Sequence, residues 1–103
     1  MPFDAEITEK SRDLIVLEKA RESLVRGWVN HCPKESGQHC VVTALFTAAG
    51  EKTEELERAL RIIGFHWLGS SVCAAAEWND SPLRTQAEVL ARFDEAIERL
   101  RAS

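Results

Sequence analysis

From Cys40 to Ala49 the chain reads CVVTALFTAA, a run without a single charged side chain, and Gly50 follows at once. A segment apolar on every side has to be surrounded by the rest of the chain, whatever secondary structure it adopts. Val41, Val42 and Thr43 are β-branched and suit a strand, whereas the Ala-rich second half and the glycine stop suit a helix that ends on a left-handed residue. The balance predicts a buried central helix. The remaining residues must then supply amphipathic partners to cover it.

Those partners show as stripes at helical spacing. Leu14, Leu17, Leu24, Val25 and Trp28 share one face, with Glu18, Lys19 and Glu22 outside it, which predicts a first helix ending near Gly27. Arg21 interrupts this stripe. Its stem can lie on the core with the guanidinium in water, or its charge can meet a carboxylate such as Asp80. Asn30 to His39, containing Pro33, Ser36 and Gly37, breaks the periodicity and reads as a loop. Thr53 is placed to cap a third helix, with Glu54, Glu55 and Glu57 in the first turn, Leu56, Ala59, Leu60 and Ile63 on the apolar face, and Gly64 as its stop.

From His66 to Glu77 the pattern leaves open either one or two helical turns or an irregular buried segment. Thr85 and Glu88 then have the spacing of a capping box, and Val89, Leu90, Phe93, Ile97 and Leu100 line a last helix. Glu88 with Arg92 and Glu95 with Arg99 stand at i,i+4 pairing distance. Over 103 residues these elements predict an all-α single domain, 1–103, folded as a compact bundle of about four helices. A core of this size depends on its largest side chains, so Trp28, Trp67 and Trp78 are expected anchors.

Charge narrows the choice of partner. With a net charge of -4 and no Lys/Arg cluster, the chain lacks the concentrated basic field that a nucleic-acid backbone or an anionic membrane requires. No run approaches the roughly 18 apolar residues of a membrane span, and Met1 to Lys10 lacks the basic-then-apolar order of an export signal. A cytoplasmic location is therefore expected. There the odd set Cys32, Cys40 and Cys73 is expected as free thiols.

Three blocks carry a resemblance: ARESLVRGW at Ala20 to Trp28, HCVVTAL at His39 to Leu45, and WNDSPLRTQAEVLARFDEAI at Trp78 to Ile97. Together they resemble an uncharacterised family of small bacterial and phage proteins. Its members share a helix ending in Gly-Trp, a Cys-initiated apolar helix, and a Trp-Asn-Asp turn before an Arg-Thr-x-x-Glu-Val helix. The resemblance implies a shared fold and carries no established activity.

Chemistry-bearing residues fall in three places. His31, Cys32, His39 and Cys40 lie within ten residues and are all zinc-ligand types, but adjacent His-Cys pairs point apart where structural sites use Cys-x2-4-Cys, and further ligands such as His66 or Cys73 would have to arrive from elsewhere. A small zinc protein is one alternative reading. Cys40 at a helix start, with His39 or His66 and Asn79 or Asp80, has the parts of a Cys-His-Asn/Asp hydrolase, although a buried hydrophobe opening a core helix looks the same.

The third place is the turn from Trp78 to Thr85. Asn and Asp hydrogen-bond turn amides, Pro82 fixes a backbone angle and Thr85 caps a helix, so the segment has a structural explanation. If Trp78, Asp80 and Arg84 instead face outward, they form a polar surface with an aromatic wall, and Trp78, Asn79, Asp80 and Arg84 become the candidate binding residues. The resulting expectation is a helical interaction module, a homodimer or the binder of a protein or small molecule, with no cofactor and no assigned catalytic residue. If Cys40 opens a core helix, iodoacetamide at mildly acidic pH labels it no faster than Cys32, and slowly until the protein unfolds. Rapid labelling in the native state would restore the catalytic reading.

Overall fold

A computed structural model of the protein describes residues 8–29, 39–65 and 71–103. Among the described residues five helices follow in order: α1 (Glu9–Gly27), α2 (Val41–Ala48), α3 (Thr53–Ile63), α4 (Ser71–Asn79) and α5 (Gln86–Ala102). The fold is all-α, with no strand among the described residues beyond one isolated bridge between Trp28 and His39. The helix beyond the four expected is α4, formed in the segment where the sequence pattern leaves helix and irregular structure both open. His66 and Trp67 lie outside the described residues.

Most boundaries follow from capping chemistry. Thr8 caps α1 by accepting from Ser11 N–H at 3.1 Å. Thr85 and Glu88 form the expected capping box on α5, with Thr85 Oγ1 accepting from Glu88 N–H at 3.2 Å and Glu88 Oε1 accepting from Thr85 N–H at 3.0 Å. After α2, Gly50 takes φ 68° and the Gly50 and Glu51 amides donate to Thr47 and Phe46 carbonyls, the paired bonds of a left-handed stop. Gly64, at φ 112°, ends α3 in the same way. Thr53 departs from expectation: it is the first residue of α3, and the cap position falls to Lys52, whose side chain makes no capping bond. The reason lies in the link, where Leu56 N–H bonds to Lys52 O and starts the helix one residue earlier.

α2 lies under α1, α3 and α4, and α5 closes the far side against α1 and α3. Leu17, Leu24, Val41, Leu45, Leu60, Val89 and Phe93 are fully buried, each contributing about 1.5–3 kcal/mol relative to exposure. The buried face of α1 is Asp13, Val16, Leu17, Ala20 and Leu24. Val25, counted in the apolar stripe, is instead 48% exposed, because a stripe centred on Ala20 and Leu24 turns the next residue toward solvent.

Charged side chains tie the layers together. Asp13 is buried at 6% exposure and accepts from Arg58 Nε at 3.0 Å, while Glu9 lies 3.2 Å from the same guanidinium. The Asp13 hydrogen bond holds Arg58 above its usual pKa. Arg21 pairs with Asp94 on α5 at 2.5 Å rather than with Asp80, since α5 is the helix that packs beside that turn of α1. Arg92 and Arg99 do not pair along α5 as their spacing suggests. They cross to the carbonyls of Ile62, Ile63 and Gly64, where the end of α3 presents unpaired acceptors and the negative end of its dipole.

Thr85→Ala removes the cap that starts α5 and is expected to lower the free energy of unfolding by about 1 kcal/mol. Urea titration followed by circular dichroism reads the change, and a loss below about 0.3 kcal/mol would show that water replaces the cap.

Candidate functional site

α4 is short, and its last two residues face different environments. Asn79 is fully buried, Trp78 is half-buried, and the chain then leaves the helix through Asp80 N–H bonded to Ala76 O. Residues 81–84 form a tight turn closed by Arg84 N–H to Ser81 O at 3.0 Å, with Pro82 and Leu83 at its corner. Thr85 then caps α5, so the turn is anchored by a helix end on each side.

Asn79 uses every hydrogen-bonding valence of its amide. Oδ1 accepts from Trp28 Nε1 at 2.8 Å and from Val41 N–H at 3.0 Å, and Nδ2 donates to Val29 O and to Asp80 Oδ1, both at 3.1 Å. Its partners lie at the end of α1, the start of α2 and the start of the turn. Asn79 therefore contributes to the site by fixing it and presents no polar group outward.

Trp78 is held by cations and an aromatic ring. The Arg84 guanidinium lies 4.1 Å and that of Arg92 4.9 Å from the indole centroid, and the Phe65 ring meets it edge-on at 5.6 Å. Arg84 Nε also donates to Trp78 O at 2.9 Å, and its Nη1 is 3.6 Å from Glu88. Burial, and then the nearby Arg84 charge, push the Arg92 guanidinium below its usual pKa. Trp78 and Arg84 are thus brought together as sequence reasoning proposed, but with Arg84 folded back along the ring. Asp80 is exposed, and its carboxylate is in hand with Asn79.

Sequence reasoning missed Leu83, which is 88% exposed at the corner of the turn. The available signal was its place after Pro82 in an otherwise polar turn. It also missed Phe65 and Arg92 as walls of the Trp78 stack, because their link to the turn is tertiary.

Cys40 is the N-cap residue of α2 and 8% exposed. Its Sγ accepts from Thr43 N–H at 3.5 Å, and Thr43 Oγ1 accepts from Cys40 N–H at 3.0 Å, a capping box built with a thiol. Asn79 accepts from the neighbouring Val41 amide, so at this helix start it serves the backbone. His39 Nδ1 is buried with no hydrogen-bond partner among the described residues. His31, Cys32 and His66, named in the zinc and hydrolase readings, lie outside the described residues. Among the described residues, no three His, Cys, Asp or Glu side chains are placed to hold a metal ion. Likewise, none of the described helices is long and apolar enough to cross a membrane.

The architecture is that of a small helical protein in which the exposed turn after α4 is mounted on a saturated polar anchor. Residues 9–99 match the model of a family of unknown function, DUF6197, and the chain belongs to that family. No curated protein and no solved structure matches it.

Asn79→Ala would leave Trp28 Nε1, Val41 N–H and Val29 O without their partner. A stability loss of about 3 kcal/mol is expected in urea unfolding, and a loss below about 1 kcal/mol would show that solvent satisfies these groups.

Proposed function

We propose that this protein is a helical interaction module that binds a protein partner through the turn 80–85, with Leu83 as the anchoring side chain. The observation that carries this reading is the 88% exposure of Leu83 on a turn fixed at both ends. Ile15 and Val25, the other large apolar residues on the described surface, are about half covered, at 45% and 48% exposure. An apolar side chain held out on a rigid turn loses little conformational freedom when it enters a recess, which favours binding. The presentation is convex, so the partner supplies the concavity. A small-molecule site would need the recess on this chain.

The neighbouring groups support the same reading. Asp80 is exposed at the start of the same turn, and the Trp78–Arg84 stack stiffens its base. A hollow between α1 and α5 is rimmed by Arg21 with Asp94 and by Arg101 with Glu18. Its charges are spent on each other and leave little to recognise a ligand.

Leu83→Asp is expected to keep the unfolding free energy within about 0.5 kcal/mol of the parent, as surface substitutions do. The same variant is expected to abolish capture of the partner by tagged protein in its native cells. Where the partner is a second copy, it converts dimer to monomer in sedimentation. Equal capture and unchanged sedimentation for both proteins would overturn the proposal.

A further inference from the structure

Beside the turn, the end of α1 and the start of α2 are clasped by two backbone hydrogen bonds. Val29 N–H donates to His39 O at 2.9 Å, and His39 N–H donates to Gly27 O at 2.7 Å. Asn79 grips both arms of this clasp at once, Val29 and Trp28 on one side and Val41 on the other. Its remaining N–H points to the exposed Asp80 carboxylate. One fully buried amide therefore links the clasp to the surface. The clasp also contains the buried His39 Nδ1 that lacks a partner among the described residues, a cost that opening to water relieves.

We propose that the clasp is releasable from the surface through the Asp80–Asn79 hydrogen bond. A cationic group of a partner that draws the exposed Asp80 side chain outward, beyond reach of Asn79 Nδ2, withdraws one acceptor from the Asn79 amide. The amide then holds Val29, Trp28 and Val41 less firmly, because bonds sharing one polar group support one another in a buried setting. The ends of α1 and α2 part, His39 Nδ1 reaches water, and the Cys40 thiol becomes accessible. Since the cation is the partner's, this inference rests on reading the turn as the contact surface. The coupling itself belongs to this chain and is measurable without any partner.

Native-state hydrogen exchange of the full chain, followed residue by residue by NMR, is the test. Asp80→Ala is expected to speed exchange of the Val29, His39 and Val41 amides about tenfold, the effect of losing one hydrogen bond to a charged acceptor. Core amides such as Leu60 and Phe93 are expected to keep the parent's rates, since they open only with larger units. Asp80→Asn retains an acceptor oxygen and is expected to restore most of the protection. Unchanged exchange at the clasp in Asp80→Ala, a uniform rise across all helices, or an equal rise in Asp80→Asn would each overturn the coupling. If the clasp responds while Leu83→Asp leaves partner capture intact, the coupling stands and the contact surface lies elsewhere.

Discussion

The side-chain amide of Asn79 is the interaction on which the arrangement of the turn depends. A buried polar group is costly unless its hydrogen bonds are made, and Asn79 makes four, three of them to segments distant in sequence and one to the adjacent Asp80. Apolar packing alone would let α4 slide or rotate over α2 with a small penalty. An amide whose two donors and two acceptor sites are all engaged permits one register, so it sets where α4 ends and hence where the turn leaves the body of the protein. Specificity of this kind is what a satisfied buried network contributes beyond stability.

That anchor matters because the helices beside it are short. α2 has 8 residues and α4 has 9, lengths at which an isolated helix does not persist in water. Their stability comes from neighbours: α2 from burial of Val41, Ala44 and Leu45 together with the thiol capping box, and α4 from Ala75, Asn79 and the Trp78 stack. The longer α1 and α5 form the outer frame, joined by Arg21 with Asp94 and by Arg101 with Glu18. Those exposed pairs contribute at most about 1 kcal/mol each, so the frame is held chiefly by Leu17, Leu24, Phe93 and Ile97.

How much of this was legible in the sequence depends on whether the signal is local. The apolar run of α2, the stripes of α3 and α5, both glycine stops and the Thr85 capping box are local, and each appears where its pattern indicated. α4 was illegible as a distinct helix because Ala74, Ala75 and Ala76 give it faces of similar character, with no stripe to count. Asn79 and Asp80 are neighbours of like polarity, yet one is fully buried and the other exposed. Only the position of Trp28, Val29 and Val41 in space separates them. Asp13 was missed for the same reason: its partner Arg58 is remote in sequence, and without that partner a buried carboxylate reads as an error in the stripe.

The stack around Trp78 shows how the turn can be both rigid and exposed. Two guanidinium groups near one indole repel each other, and burial makes the Arg92 charge costlier still. Each is compensated separately, Arg84 by Glu88 and the Trp78 carbonyl, Arg92 by the carbonyls that end α3. The indole is thereby tied to the ends of α3 and α4 and to the start of α5, the three helix termini that converge beneath the turn. With its base fixed by those termini and by Asn79, the turn does not need to bury Leu83 to be ordered. A leucine released from any structural duty, on a backbone that cannot collapse to hide it, is available to a second molecule.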